Sequence, residues 1–269
     1  MPTVQANAAS TAKAQEPARG ARRFRGLAGD PLAEARQRRE TPFGVRPSKE
    51  EEEIIVEAGK GKFVFPARLP NPKIGRIRRT GKYYNQEILE QLAAKIGPDA
   101  VVVDANAGFG NETVFFAVEA QAKKIYAFEG DQQEGELLKK NIELNELGGK
   151  VILHPYAISD SEKMLDAWRR IPTAFQRHPG GKDTVPAKPL DAFSFEDVDT
   201  IALLRIGGRH AAKDAVDGAK ATLAKSKFVY VDVEGRDRTA AGEELEKYGF
   251  TPVEIDGRGR LYMNQKIQD

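Results

Sequence analysis

The chain contains no cysteine, which excludes disulfides, thiolate metal ligands and cysteine nucleophiles and suits a reducing compartment. Its three histidines leave little for metal chemistry, and no metal site is expected. No apolar run approaches the roughly 18–20 residues that would span a bilayer. Residues Met1–Gly20 lack the apolar stretch of a secretory signal. A soluble, intracellular protein is therefore expected, in the cytoplasm or an organellar matrix. The Ala- and Arg-rich, acid-poor first thirty residues mildly resemble a transit peptide, although their Pro and Gly content works against the helix such a peptide forms.

Net charge is low, 42 Lys+Arg against 40 Asp+Glu, so the whole molecule does not read as a dedicated nucleic-acid binder. The charge is uneven, because residues 1–49 hold ten basic residues and four acids. Apolar residues are sparse and aperiodic up to Ser48, and Pro and Gly recur, so this stretch reads as an arm. Lys62–Pro66 reads as a short strand, and Arg68–Arg79 as a docked linker. The domains expected are a basic arm with its linker over 1–82 and a folded unit over 83–269.

From Asn85 the pattern is helical, with Ile88, Leu89, Leu92, Ala93 and Ile96 on one face before Gly97-Pro98. Strands at 100–103, 124–128, 151–154, 200–206 and 228–233 then alternate with helices at 112–122, 132–147, 211–223 and 239–248. Thr251–Ile255 and Leu261–Asn264 close the chain as a hairpin. Such alternation specifies a doubly wound α/β fold, a mainly parallel seven-stranded sheet with an antiparallel end.

The sharpest local signal follows the first of these strands, in Asp104-Ala105-Asn106-Ala107-Gly108-Phe109-Gly110. Gly108 and Gly110 let the backbone turn tightly and approach a ligand at the carboxyl end of the strand. The next strand ends at Glu129, whose carboxylate can accept hydrogen bonds from ribose hydroxyls. Asp104, Asn106, Gly108, Gly110 and Glu129 are thus the candidate cofactor-binding residues. A nicotinamide site would need Gly or Ala at position 113, which is Thr, and there is no P-loop lysine.

These landmarks resemble those of the FkbM-type methyltransferases. Tyr126–Gly130 resembles that family's "FEP" segment, and Leu137–Asn145 its "LLxxNxxxN" helix. Ala157–Asp160 is similar to its "AxSD" turn, and Leu190–Phe193 to its "LDxF". The resemblance implies S-adenosyl-L-methionine as cofactor and methyl transfer to a hydroxyl of a small molecule or sugar. The chain departs from the family's fourth-strand "KIDVEGxE", where Gly207, Arg209 and Ala212 replace three acids. Asp232-Val233-Glu234-Gly235 spells that motif at the end of the following strand and reads there as coincidence. Asp160 and Asp191 are the first candidates for a catalytic base, with His154 and His210 behind them. Trp168 reads as packing an irregular insertion over 161–199, and His178–Lys182 as a loop.

Two functions fit this reading. One is an active methyltransferase; the other is a silent methyltransferase fold held in a large protein assembly through residues 1–82. A nucleic-acid partner is not expected, although the basic arm does not exclude one.

Overall fold

A computed structural model describes residues 52–68, 71–166, 184–195, 198–208, 212–233, 235–257 and 259–267 of the chain. The readings made above for residues 1–48, Trp168, His178–Lys182, Arg209, His210 and Glu234 lie outside these residues.

The expected α/β architecture is present. Strands β3 (Val101–Ala105), β4 (Lys124–Phe128), β5 (Val151–His154), β9 (Ile201–Gly207), β10 (Ser226–Asp232), β11 (Phe250–Val253) and β12 (Arg260–Asn264) form one sheet in the order β11-β12-β10-β9-β3-β4-β5. Strand β12 runs antiparallel to β10 and β11, and the remaining pairs are parallel. Successive residues of the central strands alternate between two cores. Val102, Leu203, Phe228 and Tyr230 enter one, while Val103, Leu204, Val229 and Val231 enter the other. A sheet buried on both faces requires such continuous apolar strands, and this sequence supplies them.

The helices are α2 (Gln86–Ile96), α3 (Asn111–Val118), α4 (Gln132–Leu144), α5 (Ala212–Asp217), α6 (Lys220–Lys225) and α7 (Arg236–Lys247), after α1 (Pro72–Thr80) in the segment ahead of the sheet. The single helix expected over 211–223 is two. Gly218 separates them, since a Cβ there would lie 2.1 Å from the Ser159 carbonyl oxygen, and its own carbonyl accepts from the Asp191 amide. The insertion read as irregular carries a small sheet, in which β8 (Thr184–Lys188) lies between β6 (Ala157–Ile158) and β7 (Lys163–Asp166).

The largest departure from the sequence reading concerns residues 53–80. They form a hairpin, β1 (Glu53–Ala58) and β2 (Gly61–Pro66), whose second strand contains the short strand expected at Lys62–Pro66, followed by α1 where a docked linker was expected over Arg68–Arg79. Asn71 caps α1 by accepting from the amides of Lys73 and Ile74, and Gly81 ends it at φ 62°. Phe63 and Phe65 are fully buried, and the Phe65 and Phe109 rings meet edge-on at 5.2 Å. Burying a side chain of that size contributes about 1.5–3 kcal/mol. The hairpin thus shares the main core with α2 and α3, and the boundary placed at residue 82 does not divide the packing.

Two asparagines, Asn141 within α4 and Asn145 at its C-terminal cap, hold this arrangement. Asn141 accepts from the Val64 amide and donates to the Phe109 carbonyl, while Asn145 bonds both the amide and the carbonyl of Lys62. They satisfy backbone groups that an edge strand would otherwise leave open.

Candidate cofactor site

Strand β3 lies between β4 and β9, where the strand order reverses direction, and open α/β sheets bind ligands at such a switch point. The turn after β3 is built from left-handed residues, Asn106 (φ 63°), Gly108 (φ 59°) and Gly110 (φ 95°). Asn is the non-glycine residue that best accepts this conformation. Its side chain is also used, donating to the Gly207 carbonyl at 2.8 Å and tying the turn to the end of β9. At Gly110 a Cβ would lie 2.5 Å from Cδ1 of Leu138, so glycine lets α4 close against the turn.

The carboxylate of Glu129 joins the same structure. One oxygen accepts from the Gly108 amide and the other from the Asp131 amide, each at 2.8 Å. The fold thus brings together Asn106, Gly108, Gly110 and Glu129.

Asp104 has a different place. It is fully buried, with one carboxylate oxygen accepting from Arg205 at 3.0 Å and the other from the Thr113 hydroxyl at 2.6 Å. It braces the turn from beneath and presents no face to a ligand. The group around it is assembled from residues far apart in the sequence, Arg205 lying 101 residues from Asp104. Arg205 stands opposite Asp104 in register, 2% exposed, and reaches Asp104, Glu112 (3.2 Å) and Asp232 (2.8 Å). Burial pulls the guanidinium pKa down, but Glu112, Asp104 and Asp232 together lift it above its ordinary value. Burial pushes the Asp104 carboxyl up, and Arg205 opposes that push.

This group accounts for Gly207. A Cβ there would lie 2.4 Å from Nη1 of Arg205, so the guanidinium fills the space in which a side chain at 207 would begin. Asp232 pairs with Gly207 across β9 and β10. The acid absent from β9 therefore has a neighbour on the adjacent strand, and the motif read as coincidence contributes a carboxylate to this site. One cation inside the apolar run Ile201–Ile206 was the available signal.

Beside the turn stand Glu129, Asp131 and Glu134. Asp131 caps α4, accepting from Gln133 and Glu134. Burial, reinforced by Glu129 and Asp131, pushes the Glu134 carboxyl up to about 8, and its Oε2 is buried without a hydrogen-bond partner. His154 stacks on Phe128 at 4.6 Å, and burial lowers its pKa, which keeps the ring neutral.

The two expected catalytic acids are engaged elsewhere. Asp160 bonds Lys163 at 2.5 Å, Ser159 and Ser161, and its pKa is held down at about 2 chiefly by the Lys163 bond. A carboxylate that weakly basic is a poor proton acceptor at neutral pH. Asp191 accepts from the Ala221 and Thr222 amides and the Thr222 hydroxyl, capping α6. Asp191→Ala should cost about 1–2 kcal/mol, a fall in Tm of a few degrees, without changing cofactor affinity. Loss of activity at unchanged Tm would restore Asp191 to a catalytic role.

The seven-stranded order with β12 reversed, and the glycine turn at the switch point, define a Rossmann-like methyltransferase fold. Residues 82–169, about a third of the chain, match the TRM5/TYW2 methyltransferase domain. That is a methyltransferase domain of another family than the FkbM type which the motifs resemble. No characterised protein sequence matches the chain. Similar solved structures include a tRNA methyltransferase of M. jannaschii, 19% identical over 81% of this chain and 56% of that one, with a TM-score of 0.43. TYW2 of M. jannaschii in complex with AdoMet is 16% identical over 81% and 86%, TM-score 0.42. The methyltransferase FkbM of Methylobacillus flagellatus KT is 12% identical over 73% and 56%, TM-score 0.44.

Proposed function

We propose that this protein is an S-adenosylmethionine-dependent methyltransferase whose acceptor is RNA. The observation that carries the cofactor is the junction of Glu129 with the Gly108 amide at the switch point. It holds an acceptor for ribose hydroxyls against a turn whose backbone a ligand can approach closely. The electrostatics fit as well. Arg205 sets one formal positive charge against the three carboxylates of Asp104, Glu112 and Asp232, so the group's formal balance favours a cationic ligand.

When bound, the cofactor supplies an electrophilic methyl group on a sulfonium. The chain's own residues position it. Glu129 holds the ribose, Gly108 and Gly110 admit it to the backbone, and Asn106 fixes the turn against β9. An RNA acceptor replaces the small hydroxylated molecule of the FkbM resemblance. Two things support it, the match to a different methyltransferase domain and the excess of basic residues ahead of the sheet.

A second reading keeps the fold as a silent subunit, and the observation favouring it is the Arg205 guanidinium in the space of a side chain at 207. Calorimetric titration with S-adenosylhomocysteine, followed by transfer of label from S-adenosylmethionine to total tRNA, separates the two. Binding and transfer are expected; binding without transfer to any acceptor would leave the silent subunit. Glu129→Ala should weaken binding about tenfold or more, the cost of losing a charged hydrogen-bond partner. Equal affinity in the variant would show that the ribose lies elsewhere.

A further inference from the structure

Between Arg68 and Lys82 the sequence holds six cations, Arg68, Lys73, Arg76, Arg78, Arg79 and Lys82, and no acid. Helix α1 fixes how most of them are presented. Its apolar residues, Ile74 and Ile77, are already buried in the core, while Arg76, Arg78, Arg79 and Lys82 are exposed. Arg78 gives one hydrogen bond to the Ala67 carbonyl. Arg76, Arg79 and Lys82 have no ion pair among the described residues. Arg76 and Arg79 are three apart on the helix, so their side chains share a face. The neighbouring strand β1 carries two acids, Glu53, which pairs with Lys140, and Glu57.

This face is coupled to the cofactor turn through direct contacts. The Lys73 ammonium lies over the Tyr84 ring at 5.2 Å. The Tyr84 amide and carbonyl are both bonded by the side chain of Asn111, the first residue of α3 directly after Gly110. Lys73 of α1 is thus linked through Tyr84 to the first residue of the helix that follows the glycine turn.

We infer that the exposed basic face of α1 docks the phosphodiester backbone of the RNA acceptor. This rests on the methyltransferase reading for its purpose, though not for its geometry. A membrane surface fits less well, because an interfacial helix needs an apolar face to insert, and α1 has buried its own against the protein. Arg76, Arg79 and Lys82, exposed and without ion pairs among the described residues, match a phosphate chain, whose binding releases counterions and depends steeply on salt.

The test measures binding of a short fluorescein-labelled RNA and of total tRNA to the full chain by anisotropy over a range of salt concentrations. The variant is Arg76→Ala/Arg79→Ala/Lys82→Ala, which removes no buried group. Its affinity should fall at least tenfold, and the slope of log K against log salt should shrink by about 2, since each lost phosphate contact removes roughly 0.7–0.9. The charge-preserving variant Arg76→Lys/Arg79→Lys should keep the wild-type slope, which a merely structural role would not predict. Unchanged affinity and slope in the alanine variant would overturn the inference, as would binding of phosphatidylserine vesicles in preference to RNA. Titration with S-adenosylhomocysteine in parallel separates the failures. Cofactor binding without RNA binding sinks the docking face alone, and RNA binding with the expected slope but no cofactor binding sinks the methyltransferase reading alone.

Discussion

Arg205→Met is expected to destabilise the protein by about 3–5 kcal/mol, a fall in Tm of roughly 10 °C or more. Burying a guanidinium is itself costly, and the native arrangement offsets that cost with three carboxylates at 3.2 Å or less. Removing the cation leaves Asp104 and Glu112 buried with no opposite charge beside them. The Asp104 carboxyl, which burial already pushes up and Arg205 no longer opposes, then rises further, so the folded variant binds a proton that its unfolded chain releases. Its stability should increase as pH falls from 8 toward 5, and the deficit relative to wild type should narrow over that range. Chemical denaturation of both proteins at the two pH values checks this. A Tm within a degree or two of wild type would show that the cluster holds nothing together. Arg205→Lys should recover only part of the loss, because an ammonium lacks the planar fork that reaches several carboxylates at once.

Glu134→Gln is expected to stabilise the protein at alkaline pH. The carboxyl is raised from its ordinary 4.5 to about 8, foremost by burial and then by Glu129 and Asp131. Between those values the folded protein keeps a proton that the unfolded chain has released, so wild-type stability falls as pH rises through this window. The full span corresponds to at most about 5 kcal/mol, and relaxation around the carboxylate should reduce the observed difference to about 1–3 kcal/mol. Above pH 8 the glutamine variant should therefore melt several degrees higher, and below about pH 4.5 the two should coincide. A pH-independent difference would mean that the carboxyl ionises as an ordinary surface group. Lys73, which draws the carboxyl pKa down, links this site to α1, so Lys73→Ala should widen the gap.

The sheet was legible because its strands are continuous apolar runs separated by helical periodicity, and periodicity is a local property. The glycine turn and Glu129 were legible for a related reason. Gly108, Gly110 and a strand-ending acid must occupy fixed places relative to their strands, so their spacing carries the information. The reading of α4 named Asn141 and Asn145 without their purpose, since their partners in β2 are 77 and 83 residues away.

What local pattern could not supply is pairing across the sheet. Asp104 and Arg205 are 101 residues apart, and Arg205 and Asp232 are 27 apart. Only the parallel register of β3, β9 and β10 places them side by side. Gly207 read as an eroded acid because nothing in the sequence shows that a guanidinium fills its side-chain space. Asp160 and Asp191 read as bases because loop acids after strands are often exposed. Tertiary contacts gave one to Lys163 and the other to the amides of α6. The sequence by itself thus determined the fold and the position of the glycine turn, which follow from backbone preference and hydrophobic period. The tertiary structure alone decided which charges are buried together and which are exposed on α1, because burial and ion pairing depend on what distant segments bring to the same place.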